Sequence, residues 1–194
     1  MTVLRAAVVL LLPLVTACGG ARPAGPAPSA AAEIGRTLTQ AELLPLEVAG
    51  VAPGDTVVTF ATGRLRKIIL RHGPPDNTVF VELAFPADAF SGAGTPESVT
   101  VSVRPLPGLY GVTIESSLPP GPSARVRFKY PVHFAAPRVA LERFGSRARY
   151  ERALLVLVRV SEGSWGTLTS TRPASDNLEA PLRGTGAYLV AAPR

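Results

Sequence analysis

The chain has few side chains that could carry chemistry: one cysteine, two histidines, one tryptophan and a series of basic residues. A single cysteine, Cys18, excludes an internal disulfide framework and any zinc cluster built from cysteines. His72 and His133 are the only histidines, which leaves little room for a transition-metal centre. We therefore predict that the protein holds no metal and no cofactor.

Neither histidine is placed as a catalytic base by its sequence context. His72 precedes Gly73-Pro74-Pro75, which predicts an exposed turn, and His133 follows Pro131-Val132 in a segment typical of a half-buried strand. The chain contains no nucleophile elbow, no His-Glu-x-x-His, no phosphate loop and no dinucleotide fingerprint. We predict no catalytic residues and no enzyme activity.

Arg125, Arg127 and Lys129 alternate with apolar residues, so in a strand the three cations share one face. Such a face could bind a polyanion or anionic lipid. Alternatively, it is a solvated sheet face partly neutralised by Glu115, Glu142 and Glu151. Further arginines follow in a segment predicted to be a charged loop or short helix: Arg138, Arg143, Arg147, Arg149 and Arg152. The chain carries a net charge of +6, but no aromatic residue shares the strand face of these three cations, so we predict no nucleic-acid partner.

Trp165 lies in a glycine-flanked turn, Gly163-Ser164-Trp165-Gly166. It could serve as a platform on which a ligand stacks, as in carbohydrate-binding sandwiches, or it could plug one end of the core. The platform hypothesis would give the protein a role as an envelope hydrolase or as a carbohydrate-binding accessory domain.

The first 17 residues have the pattern of a secretory signal. Arg5 supplies a positive start, and the apolar run 6–14 is too short to span a bilayer. The sequence Val15-Thr16-Ala17-Cys18 that follows resembles the lipobox of bacterial lipoproteins. This resemblance implies cleavage between Ala17 and Cys18 and lipidation of the Cys18 thiol. Several acyl chains would then hold the protein on a membrane.

The segment after the cysteine is rich in proline and alanine and predicts an extended, disordered tether. We assign residues 18–45 to the lipidated N-terminus, this tether and a short helix, in which Thr39 and Glu42 have capping-box spacing and Pro45 ends the helix. Gly19 after the anchor, rather than Asp, implies by the same resemblance the outer membrane more than the inner. Residues 46–194 form the remaining domain.

That domain shows alternating and short apolar runs separated by proline and glycine. A clean example is Val99, Val101 and Val103 alternating with polar residues, whereas Leu154 to Val158 is apolar on both faces, as in a covered central strand. Eight or nine such strands with regular turn signals predict an all-β fold, an antiparallel β-sandwich. An apolar content of 46% excludes wholesale disorder.

The order of several motifs between Phe80 and Val190 resembles ZU5 domains. The motifs are Pro86-x-x-Ala89-Phe90, Val99-Thr100-Val101, Pro119-Pro120-Gly121 and Ala187-Tyr188-Leu189-Val190. The resemblance implies an Ig-like β-sandwich that mediates protein interactions. Some ZU5 domains cleave themselves at His-Phe-Ser, but the matching positions here are Gly184-Thr185-Gly186, so we expect no self-cleavage. The sequence as a whole predicts an envelope lipoprotein whose non-catalytic sandwich binds or scaffolds an envelope protein or a polyanionic partner.

Overall fold

The computed structural model describes residues 33–92, 94–130 and 134–194. Ala17, Cys18 and His133, together with the predicted signal and most of the predicted tether, lie outside the described residues. The strands in chain order are β1 (Ile34–Thr39), β2 (Leu43–Pro45), β3 (Glu47–Val48), β4 (Thr56–Ala61), β5 (Arg66–Arg71), β6 (Val79–Phe85), β7 (Ser98–Pro105), β8 (Gly111–Ser116), β9 (Arg125–Lys129), β10 (Phe134–Ala135), β11 (Leu155–Ser161), β12 (Ser164–Leu168), β13 (Asn177–Pro181) and β14 (Gly186–Pro193). The helices are α1 (Arg138–Phe144), α2 (Arg147–Ala153) and one 3-10 turn (Gln40–Glu42).

These strands form the predicted all-β sandwich of antiparallel sheets. The large sheet has the order β1-β12-β11-β14-β8-β7-β4, and β2 also pairs with β14. The small sheet has the order β13-β9-β6-β5, and β10 pairs with β3 in a separate two-stranded ladder. Alternating sequence explains the half-buried strands: Val99, Val101 and Val103 of β7 are buried, while Ser98 and Thr100 face solvent.

The main core lies between the two sheets and takes its side chains from both of them. Phe80 on β6 belongs to this core although strict alternation with Val81 predicts that it faces outward. The register with β5 shifts between Leu70 and Arg71, which pair with Val81 and Val79 and leave Phe80 opposite no partner. The resulting bulge turns Phe80 inward, where its ring stacks on Tyr110 with centroids 4.9 Å apart.

A second core lies on the opposite face of the large sheet. It comprises Leu38, Leu43, Leu157, Trp165, Ala187, Leu189 and Ala191. On β11, Leu157 faces this second core while Val156 and Val158 face the main core. This confirms the prediction that the apolar run 154–158 is a central strand covered on both sides.

The N-terminal segment closes the second core and corrects the predicted domain boundary at residue 46. β1 pairs with β12, and β2 pairs with β14, so the path β2-β14-β11-β12-β1 begins and ends on one continuous stretch of chain. The predicted short helix is only the 3-10 turn between β1 and β2, and Pro45 ends a strand rather than a helix. The sandwich therefore includes residues 34–45, which we assigned to the segment before the domain.

The predicted pairing of Thr39 with Glu42 is present at this turn. The Thr39 backbone N–H and hydroxyl donate to Glu42 Oε2 at 2.8 and 2.9 Å, and Arg36 donates to Oε1 at 3.0 Å. These bonds, the backbone one foremost, lower the pKa of Glu42 below its usual value. The turn is held at both ends, because Gln40 N donates to Gly163 O and Arg194 N donates to Glu42 O.

The arginine-rich segment folds as α1 and α2, which form a helical hairpin rather than a loop. Gly145, with φ of 71°, ends α1, and the Ser146 hydroxyl accepts a hydrogen bond from Arg149 N at the start of α2. Ala140 and Tyr150 attach the hairpin to the main core. The Tyr150 hydroxyl donates to Leu44 O at 3.1 Å, which ties the hairpin to β2.

Candidate functional site

Arg125, Arg127 and Lys129 share one outward face of β9, as predicted, but they are not a row of free cations. The sheet register places Arg127 opposite Glu82 on β6 and Glu179 on β13. Arg127 Nε and Nη2 donate to Glu179 Oε2 at 2.7 and 2.5 Å, and Arg127 Nη1 lies 3.8 Å from Glu82 Oε1. Lys67 on β5 also contacts Glu82 Oε1, at 3.0 Å.

The two outer cations of β9 differ from Arg127. Arg125 Nη1 donates to the carbonyl oxygens of Pro122 and Ala124, so its guanidinium is turned toward the preceding loop. Lys129 pairs in register with Asn177, which carries no charge. The carboxylates that neutralise this face are Glu82 and Glu179, whereas the expected Glu142 and Glu151 pair with arginines of the hairpin.

Trp165 plugs the second core. Its side chain is 4% exposed, packs with Leu38, Leu157 and Leu189, and donates its indole N–H to Gln40 Oε1 at 2.8 Å. The ring faces are therefore not available as a stacking platform, which corrects that hypothesis. An open depression of about 520 Å³ lies beside the ring, lined also by Arg159 and Glu162.

His72 is buried, not exposed as its proline-rich neighbours predicted. Its side chain is 3% exposed, with Nδ1 3.2 Å from Val51 O and Nε2 3.2 Å from the Tyr110 hydroxyl. Because a carbonyl oxygen only accepts, Nδ1 carries the proton in the neutral ring and Nε2 accepts from Tyr110. Burial, with a smaller contribution from Asp76, raises the pKa of Tyr110, which keeps that hydroxyl a donor.

The other buried tyrosines also use their hydroxyl groups to hold the fold. Tyr188 donates to Gly184 O at 2.9 Å and accepts from Arg183 N at 2.8 Å, while burial raises its pKa to about 12. Arg172 donates to the Tyr130 hydroxyl and to the Glu151 and Leu154 carbonyl oxygens at the end of α2. The bend at Gly184, just before β14, is thus held by a tyrosine hydroxyl.

A depression of about 510 Å³ between residues 88–92 and 94–95 on one side and 118–123 on the other was not predicted from the sequence. Its polar lining includes Asp88, Ser91, Thr95 and Ser123. The Ser91 and Thr95 hydroxyls donate to the Asp88 and Gly92 carbonyl oxygens, so they shape the loop itself. The Ser123 hydroxyl oxygen is buried and has no hydrogen-bond partner among the described residues.

The arginines of the hairpin carry few ion pairs. Arg138 pairs with Glu142 at 2.8 Å and Arg147 with Glu151 at 3.0 Å, each four residues apart on one helix. The Arg147 guanidinium also lies 3.9 Å from the ring centroid of Phe134. Arg143, Arg149 and Arg152 are exposed and form no ion pair with any residue that the structure describes.

Within the described ranges, no group of three or more histidine, cysteine or acidic side chains is arranged to hold a metal ion. Neither α1 nor α2 nor any other helix of those ranges combines the length and apolarity needed to cross a membrane. Comparison of the chain with protein-family models, curated proteins and solved structures found no match. The resemblances to bacterial lipoproteins and to ZU5 domains therefore stay interpretations of the sequence.

Proposed function

We propose that this protein is a lipid-anchored component of a bacterial cell envelope whose β-sandwich binds or scaffolds a partner. The observation that carries the proposal is the sequence Val15-Thr16-Ala17-Cys18, placed fifteen residues before the first strand at Ile34. Small residues before a cysteine fit a signal-peptidase cleft, and the thiol is the group that takes the diacylglycerol. Gly19 after the anchor favours the outer membrane over the inner.

A binding role rather than catalysis is supported by how the buried polar groups are used. Both ring nitrogens of His72 engage a carbonyl oxygen and a tyrosine hydroxyl, so the ring is committed to architecture. Glu82, the buried carboxylate, is engaged by Lys67 and Arg127 on neighbouring strands. These groups stabilise a rigid sandwich and leave recognition to its exposed surfaces.

Substitution of Cys18 by alanine tests the anchor. We expect the full-length chain to stay with membranes through a high-salt wash and to incorporate radiolabelled fatty acid, whereas Cys18→Ala loses the label and is released by that wash. Ser29→Ala, a change in the segment between anchor and domain, is the matched control and should keep both properties. Unchanged membrane association and labelling of Cys18→Ala would overturn the proposal.

A further inference from the structure

The α1–α2 hairpin presents a cationic surface with apolar side chains at its border. Five arginines and two glutamates lie between residues 138 and 152, and both glutamates already pair with arginine. In both pairs the arginine precedes the glutamate, the weaker order on a helix. Three arginines remain for a partner: Arg143, Arg149 and Arg152.

Apolar side chains accompany these charges. Val139 is 48% exposed and Leu141 is 39% exposed on the same short helix whose Ala140 is buried. A surface that offers arginines and aliphatic side chains together matches a bilayer interface, where phosphate headgroups lie just above acyl chains.

The hairpin lies at the end of the sandwich where the N-terminal segment enters. Ile34 pairs with Leu168 on β12, and the adjacent Thr167 pairs with Leu157 on β11. α2 ends at Ala153, directly before β11 begins. The entry point of the chain is thus two strands, about 10 Å, from the strand that follows the hairpin.

We propose that the hairpin docks on the anionic surface of the membrane that carries the anchor, with arginines on lipid phosphates and Val139 and Leu141 at the interface. This inference rests on the proposed lipid anchor. The fifteen residues between Cys18 and Ile34 span at most about 50 Å, so the anchored domain stays within reach of the bilayer. Docking would hold the sandwich in one orientation, with its opposite end directed away from the lipid.

The test uses the Cys18→Ala chain from residue 18 onward, which lacks both the lipid and the apolar signal, and vesicles of phosphatidylcholine with or without one-third phosphatidylglycerol. Binding should require the anionic lipid and should weaken steeply with salt. Adding Arg143→Gln and Arg152→Gln should weaken binding about 30-fold, because each basic residue near an anionic surface contributes about fivefold. All variants share the same N-terminal sequence, so its contribution cancels in the comparison.

Arg64→Gln with Arg66→Gln is the matched control, because these residues follow the end of β4 where Ala61 pairs with Ser98, at the opposite end of the sandwich. It should bind as the parent does, and so should Arg143→Lys with Arg152→Lys, which keeps the charge. Circular dichroism checks that each variant is folded.

The proposal is overturned if the control glutamine pair weakens binding as much as the hairpin glutamine pair does. It is overturned likewise if the lysine pair binds as poorly as the hairpin glutamine pair, or if the protein binds neutral vesicles as tightly as anionic ones. It is also overturned if heparin or RNA binds more tightly than the anionic vesicles, which would indicate a general polyanion surface. Because the vesicle measurement uses unlipidated protein, its failure is distinct from a failure of Cys18→Ala to leave membranes in cells.

Discussion

Arginine and glutamate meet in two regions of this protein, the outer face of the small sheet and the α1–α2 hairpin, with different results. On the sheet, Arg127 lies between Glu82 and Glu179, which come from strands far away in the sequence. On the hairpin, Arg138 meets a carboxylate four residues away, and its side chain remains 91% exposed. The first arrangement is part of the sandwich, whereas the second is a solvated surface.

The difference shows that the net charge of a surface cannot be inferred from the basic residues of one strand or helix, because neighbouring elements can supply carboxylates. The alternation of Arg125, Arg127 and Lys129 predicts a basic face, yet cross-strand carboxylates reduce its charge. On the helical hairpin, the ion pairs among the described residues are those with its own Glu142 and Glu151, so the hairpin itself keeps an excess of positive charge. Ion pairs across strands should therefore affect stability, whereas the charges of the hairpin should affect binding.

The largest expected effect follows from removing Glu82. Glu82→Ala takes a largely buried carboxylate from Lys67 and Arg127, and we expect the free energy of unfolding to fall by about 2 kcal/mol. Glu142→Ala on the hairpin is the matched control and should change it by less than about 0.5 kcal/mol. Urea denaturation measures both, and equal losses would show that the two regions do not differ in this way.

A smaller effect is expected for the coupling of single pairs. A double-mutant cycle of Arg127→Ala and Glu179→Ala should give a coupling energy of about 1 kcal/mol, because two guanidinium nitrogens contact one partly buried carboxylate. The corresponding cycle on Arg147 and Glu151 should give about 0.3 kcal/mol. A larger value for the helical pair would contradict the comparison.

Next come the apolar side chains of the hairpin. Val139→Ser with Leu141→Ser should weaken binding to anionic vesicles by about fivefold, through loss of apolar surface at the interface. Thermal unfolding should change little, because both side chains are exposed. Ile69→Ser on the small sheet, also exposed, is the control and should leave vesicle binding unaltered. If it weakens binding as much, the effect is not specific to the hairpin.

The smallest effect concerns the order of charges on α1. Exchanging the pair, Arg138→Glu with Glu142→Arg, puts the acidic residue first and should stabilise the protein by about 0.3 kcal/mol. The net charge is unchanged, so vesicle binding should stay the same. A marked loss of binding would show that the position of Arg138, and not only the hairpin's total charge, contributes to docking.

Local patterns in the sequence were sufficient to predict much of the sandwich. The alternation in β7 and the apolar run in β11 predict burial directly, because successive side chains of a strand point to opposite faces of the sheet. The spacing of Thr39 and Glu42 likewise predicted their contact, since the two residues are near neighbours in the sequence.

Features set by distant partners were not predictable in this way. The bulge that turns Phe80 inward depends on the register with β5, and the burial of His72 depends on Tyr110 and Val51. β1 and β2 carry weak patterns of their own and are strands because β12 and β14 offer them open edges. The neutralisation of Arg127 on the outer face of β9 likewise depends on Glu179, which lies 52 residues away in the sequence.

The closure of the second core has a consequence for how the protein reaches its folded state. Pro45 near the start of the domain pairs with Ala191 near its end, and Leu38 and Leu43 are buried against the strands that come last. β1 and β2 therefore stay unpaired until β12 and β14, respectively, have been synthesised and, if the chain is exported, have crossed the membrane. Truncation of the domain at either end would expose the same second core, so the two ends depend on each other for stability.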